Sequence, residues 1–454
     1  MSMYYIRLAL KSFQRTPGLT ALMVCAMALG IAVCVMTMTV YHAMSGNPIW
    51  WKNDRLYAVT MDNWDPVEPY DRKYPAQPPP QLTYKDALYL LGSKIPERKI
   101  VSYAMQSVVT GGGAQRKPSP ALTRATPADF FAMFDVPFLY GSAWDPTADQ
   151  NAVPVTVISK EENEKLFGGV NSVGRTIRWN DHEVRIVGVL DAWFPKPRFY
   201  DLNNGAFSPP DDVYVPLSWS IALEQAPSGG NSSCWRPETI NTFKDYLASD
   251  CVWTQMWVEL PDTASRERMQ QLLEGSWAEQ RKAGRFGRPR NNRLTNVEQW
   301  LKDRGVVQND NRMLVGISFA FLAVCLLNTV GILLAKFLNS AAIAGVRRAL
   351  GASRRQIFMQ HLVEVGVLAS AGALLGLVLG ALGLWGVHAL YTNGNIVGSV
   401  AGSAGRGGYQ ELTHFDLASV FWAVVLAIVS AVAAGLYPAW RIGRVSPAVY
   451  LKSQ

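Results

Sequence analysis

The sequence predicts a membrane protein with four transmembrane α-helices and a large α+β extracytoplasmic domain inserted between spans one and two. Three observations predict it. Charged residues make up only 17% of the 454 residues while 49% are hydrophobic, against roughly 25% charged in soluble domains. Four apolar stretches lack charge and are long enough to cross a hydrocarbon core, which needs roughly 20 residues. Basic residues without acidic ones gather beside the ends of those stretches. The same composition excludes collagen-like and disordered chains, because 37 Gly and 26 Pro follow no triplet period and apolar residues are abundant.

Taken in order, residues 1–17 carry Arg7, Lys11 and Arg15 and predict a cytoplasmic amphipathic helix leading into span one, residues 18–43. That span lies in a charge-free interval bounded by Arg15 and Lys52. Its apolar run exceeds the roughly 7–15 residues of a signal-peptide core, so it is expected to stay as an anchor. Residues 44–312 form the extracytoplasmic domain. Span two is 313–335, followed by a cytoplasmic loop at 336–361 holding Lys336, Arg347, Arg348, Arg354 and Arg355. Span three covers 362–390, a short outside loop 391–416, span four 417–440, and a cytoplasmic tail 441–454 with Arg441, Arg444 and Lys452.

Basic residues close to span ends favour the cytoplasmic side, which places both termini there. The chain has 43 basic and 35 acidic residues; setting aside the basic residues of those three acid-free segments leaves 32 against 35. The positive charge is therefore a topology signal, and no nucleic-acid partner is expected. Cys25, Cys34 and Cys325 fall in spans, where a small apolar side chain is the ordinary role. Cys234 and Cys251 lie in the outside domain, where an oxidising compartment permits a disulfide; two buried free thiols are the alternative.

Within the domain, Leu56–Thr60 and Ile100–Met105 are strand-like, with a helical stretch near Thr83 to Gly92. The run Val153–Ser159 predicts a buried strand and Lys160–Phe167 a short helix ended by Gly168-Gly169. Strands at Thr176–Trp179, Val184–Leu190 and Thr254–Leu260 precede a helix from Ser265 to about Arg281, an alternation that predicts small α+β modules. The segment from Trp219 to Val252 is a loop-rich insertion. No H-x-x-x-H, C-x-x-C or G-x-S-x-G pattern occurs, so no catalytic, cofactor or metal site is predicted. His182, between Asp181 and Glu183, is a solvated histidine in a hairpin turn. Trp64, Trp144, Trp179, Trp193, Trp235, Trp253 and Trp257 could line a groove, but packing is the preferred role. Trp50 and Trp51 suit an interfacial aromatic belt.

Between spans two and three lies the run from Gly345 through Arg347, Arg348, Ala349, Leu350, Gly351, Ala352 and Ser353 to Arg354-Arg355-Gln356-Ile357-Phe358, then His361-Leu362-Val363-Glu364. Physically it is a short basic helix, a break at Gly351 and a second helix running into span three. Such a loop can bind anionic lipid headgroups. It also resembles the permease family of the FtsX and MacB type, in which a similar R-R-A-L-G-A-S pattern precedes a span beginning L-x-E. The likeness extends to Ala9–Pro17, Leu326–Gly331 and Tyr437–Ala448, and in the domain to Thr126–Phe131 with Gly141, Leu166–Gly169 with Val173–Ile177, Val187–Val189 and Asp212–Leu217. The insertion 219–252 is unmatched.

The resemblance implies a permease subunit of an ABC transporter in the bacterial inner membrane. It implies transmission of ATPase-driven motion to the outside domain, for efflux or extraction of periplasmic or membrane-derived peptides, lipoproteins or antibiotics. ATP would be bound by a separate ATPase subunit, since the chain contains no Gly-Lys dipeptide and so no phosphate-cradling G-x-x-x-x-G-K-[ST] loop. Arg347 to Ser353 would be the coupling element touching that ATPase. A second permease, homo- or heterodimeric, and a periplasmic adaptor with an outer-membrane protein are further implied partners. The chain has Asn339 to Ile343 where family members carry basic residues and a Glu, a departure that suits one half of a heterodimer. The alternative role is a non-transporting, FtsX-like regulator of a cell-wall hydrolase.

In the spans, Gly372, Gly376 and Gly380 recur at four-residue intervals, lining one helical face for close packing. Asn328, at mid-depth in span two, is expected to hydrogen-bond within the bundle, and Glu364, at the cytoplasmic boundary, to pair with a nearby Arg.

Overall fold

A computed structural model shows the fold and describes residues 2–111, 117–228, 231–306, 309–339, 345–347 and 350–392, with Val425, Val429 and Leu436 as isolated helical positions beyond. The chain opens with helices α1 (Ser2–Arg15) and α2 (Pro17–Ser45). There follow β1 (Leu56–Thr60), β2 (Leu82–Thr83), α3 (Tyr84–Leu91), β3 (Arg98–Thr110), β4 (Ser119–Thr126), α4 (Asp129–Met133), β5 (Phe138–Gly141), α5 (Pro146–Gln150) and β6 (Val155–Ile158). Next come α6 (Lys160–Phe167), β7 (Thr176–Trp179), β8 (His182–Leu190), β9 (Val213–Pro216), α7 (Leu217–Ala222), α8 (Phe243–Ala248), β10 (Val252–Glu259), α9 (Thr263–Lys282), β11 (Arg293–Asn296) and α10 (Val297–Asp303). Two long helices follow, α11 (Asn309–Asn339) and α12 (Arg354–Thr392). They form two compact units, one of α1, α2, α11 and α12, the other Gly46–Val306.

In the second unit the alternation of strands and helices joins the expected small α+β modules in one eleven-stranded mixed sheet, ordered β11-β1-β10-β3-β4-β9-β6-β8-β5, with β2 beside β10 and β7 beside β3 and β8. The reason is β3. Its 13 residues are shared, Arg98–Ser102 pairing with β10 and Tyr103–Val109 with β4. Because β7 pairs with both β3 and β8, strands β3-β4-β9-β6-β8-β7 close a circuit in which each is paired on both sides, while β11 and β5 stay at the ends of the sheet. Trp179, fully buried, and its neighbours Ile177, Val184 and Ile186 belong to the core of that region. The β7–β8 turn is Asn180-Asp181, both with positive φ, as a two-residue hairpin requires. His182 therefore opens β8, exposed, one residue past the turn where sequence placed it. Helix α6 begins under the Ser159 hydroxyl, which accepts from the Glu162 N–H at 3.1 Å, and ends at left-handed Gly168.

A second core collects Phe130, Phe134, Phe199, Tyr200, Tyr214 and Trp257. Against it lies a buried charge cluster. The Arg124 guanidinium, fully buried over the Tyr200 ring, bonds Asp211 at 2.6 Å and also Asp201, while Arg198 holds Asp201 at 3.0 Å. Burial alone would raise the Asp201 carboxyl; Arg124, Arg198 and Asn204 outweigh it and hold the group down at about 2.

The tryptophans serve packing. Trp144, Trp179, Trp253 and Trp257 are buried, and Trp253 is stacked between Tyr84 and Tyr246. Tyr246 lies in α8 within the insertion, which the Cys234–Cys251 disulfide closes at its base. Asp250 beside it takes Lys85 at 2.7 Å and Arg285 at 3.0 Å.

In the other unit, Pro17–Tyr41, Met313–Phe337 and Arg354–Gly386 are long and apolar enough to cross a membrane. Pro17 at the first position of α2 loses no helical hydrogen bond there. Helix α11 runs on to Asn339, and α12 starts at Arg354, so the second helix of the basic loop runs into span three as expected. Charge ends a hydrocarbon span, not a helix. The expected fourth span, outside loop and tail lie outside the described residues, apart from the end of α12 and the three isolated positions.

Candidate functional site: the coupling segment and the junction below it

The basic motif is built as a helix end followed by a helix start. Leu350 N–H donates to the Val346 carbonyl and Ala352 N–H to that of Arg347, both at 3.0 Å, around Gly351 at φ +103°. This closure, centred on a left-handed glycine, ends the first helix. Ser353 then caps the next one: its hydroxyl accepts from the Gln356 N–H at 3.2 Å, and the Gln356 side chain accepts from the Ser353 N–H at 2.9 Å. Arg347 reaches back to Gln360 at 2.8 Å. Leu350 is 83% exposed, beside exposed Ser353, Arg354 and Arg355, while Ile357 is buried. Arg348 and Ala349 lie outside the described residues. An exposed Leu beside exposed cations is chemically suited to an apolar socket with an acidic rim.

Three turns further along α12, Glu364 is buried and accepts from Ser12 Oγ of α1 and Lys336 Nζ of α11, both at 2.7 Å. The partner is thus a lysine and not the expected arginine, because Arg347 is engaged by Gln360 and Arg354 and Arg355 are exposed. His361 Nδ1 stands 3.5 Å from the other Glu364 oxygen and its ring packs on Phe337. Sequence reading counted Lys336 only as a topology charge and missed Ser12 and His361; the His361–Glu364 spacing of three on one helix was the available signal.

The glycine stripe faces α2. A Cβ on Gly372 would meet Met27 Cβ at 3.0 Å, and one on Gly376 would meet the Ala28 carbonyl and Ile31 Cβ at 2.9 Å; at Gly380 the nearest atom is 3.6 Å away. Gly383, against Met36, and Gly30, against Leu322 and Cys325, extend this close packing beyond what sequence singled out. Asn328 is exposed on the chain and has no side-chain hydrogen bond among the described residues. Its neighbour Thr329 is the buried one, donating to the Cys325 carbonyl at 2.8 Å, since one residue turns the helix by about 100°. Hydrogen bonds between α2 and α11 come instead from Thr37 Oγ1, which donates to Ser318 Oγ at 2.8 Å, and from Cys34 Sγ, which donates to the Ser318 carbonyl at 3.2 Å.

Apolar helices carrying a basic, apolar-tipped segment, in one chain with a large mixed-sheet domain, define a membrane permease with an extramembrane domain. The chain belongs to the MacB/FtsX-type ABC transporter permeases: residues 20–276 match the MacB-like periplasmic core domain and residues 315–447 the FtsX-like permease C-terminal domain. It is 28% identical over 335 residues to a macrolide export ATP-binding/permease protein, MacB, of Wolinella succinogenes, covering 73% of this chain and 43% of that one. It is 25% identical over 327 residues to a pyoverdine export ATP-binding/permease protein, PvdT, of Pseudomonas syringae pv. tomato, covering 72% and 42%. The chain thus spans less than half the length of these curated relatives. The crystal structure of the periplasmic region of MacB from Actinobacillus actinomycetemcomitans aligns with a TM-score of 0.35 at 13% identity, over 59% of this chain and 95% of that one.

Proposed function

We propose that this permease transmits the motion of a separate ATP-binding subunit through its spans to an extracytoplasmic domain, in the service of efflux or extraction. The observation that carries the reading is α12. It is one unbroken helix from Arg354, immediately after the Gly351 closure, through its whole apolar length to Thr392, so a displacement at its exposed basic end is delivered along a rod of about 60 Å. Arg347, Arg348, Ala349, Leu350, Gly351, Ala352 and Ser353 form the ATPase contact, and ATP stays on the partner. Both termini are cytoplasmic, four spans cross the inner membrane, and Gly46–Val306 is outside, a placement supported by the Cys234–Cys251 disulfide. Two permeases associate, as one pair or as unlike halves.

The substrates are peptides, lipoproteins or amphipathic antibiotics already outside or within the membrane, passed to an adaptor and an outer-membrane protein. The match to the MacB-like core domain and the export proteins among the relatives support this over the role of a cell-wall hydrolase regulator. Arg347→Glu with Arg348→Glu should abolish co-purification of the ATP-binding subunit; a complex formed in wild-type yield removes the coupling role. Protease protection that places residues after Trp51 in the cytosol removes the topology.

A further inference from the structure

We propose that Glu364 is a positioning residue that clasps α1 and α11 to α12, so that a push on the Arg354 end of α12 moves three helices as one body. This rests on the ATPase-coupled reading above. Glu364 sits ten residues, about 15 Å, along the rod from Arg354. It is 3% exposed, and among the described residues its hydrogen-bond donors come from two other helices: Ser12 from α1 and Lys336, 7% exposed, from α11. The Lys336 ammonium also lies 4.8 Å from the centroid of the Phe13 ring, one residue from Ser12, so α1 is held twice at this point.

Around the clasp Met23, Leu333, Phe337, Val365 and Leu368 make an apolar collar. Apolar attraction is non-directional, so one aliphatic contact can stand in for another when packed helices shift. A buried carboxylate and ammonium cannot be exchanged in this way. Sliding would take the buried Glu364 carboxylate away from the Lys336 ammonium and the Ser12 hydroxyl, which selects a single register and resists load, although the pair adds little to stability beyond an apolar substitute. That distinction separates a clasp from a merely structural contact. Replacing both charges by neutral groups of similar shape should leave a folded bundle and remove only the register.

The test uses the full chain in nanodiscs with Cys25→Ser, and spin labels at Leu10→Cys on α1 and Met359→Cys on α12, both exposed positions. The double variant Lys336→Met/Glu364→Gln should melt as the unsubstituted chain does, yet broaden the α1–α12 distance distribution about twofold. It should also keep the ATP-binding subunit on co-purification while losing ATP-dependent change in that distance as a coherent shift. A double variant with the narrow distribution of the wild type overturns the clasp, and this arm needs no ATPase. Failure of the unsubstituted chain to bind any ATP-binding subunit instead overturns the coupled reading. Glu364→Gln alone, leaving Lys336 buried without its carboxylate, should both lower the melting temperature and broaden the distances; broadening absent in single and double variants alike sinks the inference.

Discussion

Arg124→Met tests the buried charge cluster of the domain. The guanidinium donates to Asp211 at 2.6 Å, to Asp201, and to Ser102 Oγ at 3.3 Å, with no exposure to solvent. Methionine fills most of the volume but leaves two buried carboxylates to share Arg198, which stands 3.0 Å from Asp201 and 3.7 Å from Asp211. One buried negative charge is then uncompensated, which costs about 3–5 kcal/mol, or on the order of 10 °C in melting temperature for a domain of this size. The assay is thermal unfolding of the full chain in detergent, followed by the fluorescence of buried Trp179, Trp253 and Trp257.

The pH dependence gives the sign. In the wild type the Asp201 carboxyl is held at about 2, below its unfolded value near 3.9. Its contribution, about 2 kcal/mol, is therefore complete above pH 5 and lost as pH falls through 4 towards 2. In the variant a carboxyl deprived of Arg124 titrates above its unfolded value, so its penalty is small near pH 4 and grows towards pH 7. The gap between wild type and variant should widen from pH 4 to pH 7, and Arg124→Met with Asp211→Asn should be more stable than Arg124→Met alone. A melting shift under about 3 °C at pH 7, or a gap that does not depend on pH, refutes the account.

Cys251→Ala should destabilise the domain by about 3 kcal/mol, because it opens a loop of sequence separation 17 that pins Tyr246 against Trp253; denaturant unfolding with and without reductant measures this, and the reductant should act on the wild type alone. Gly376→Ala, whose Cβ would press the Ala28 carbonyl at 2.9 Å, should lower bundle stability by about 1–3 kcal/mol. Gly380→Ala, with 3.6 Å of room, should stay within about 0.5 kcal/mol by thermal melting in nanodiscs.

Local signals carried much of the fold. Leu56–Thr60 and Thr176–Trp179 are strands with the predicted bounds, and Lys160–Phe167 is a helix ended by Gly168, because alternation, capping and a left-handed glycine act within a few residues. Three apolar helices coincide with charge-free stretches, and α11 continues to Asn339 while α12 begins at Arg354, since backbone hydrogen bonding continues wherever no breaker intervenes. The closed strand circuit was not legible. It depends on β7 reaching β3, a pairing of Val109 with Trp179 across 70 residues, and nothing in either segment names the other.

The buried charges were missed for a related reason. A charged residue read locally is assigned to water or to topology, as Lys336 was, and its burial is decided by partners far along the chain: Arg124 meets Asp201 and Asp211 at separations of 77 and 87, and Lys336 meets Glu364 at 28. Each cluster joins separate segments, three helices in one unit and β4 with the 198–211 loop in the other. Apolar attraction is non-directional, and apolar cores tolerate volume-conserving exchange. A buried ion pair has the opposite balance, adding little net stability while making every misaligned state expensive. Passing displacement from helix to helix, as proposed above, would need the second property at its junctions, and in the membrane unit that pair sits where α1, α11 and α12 meet.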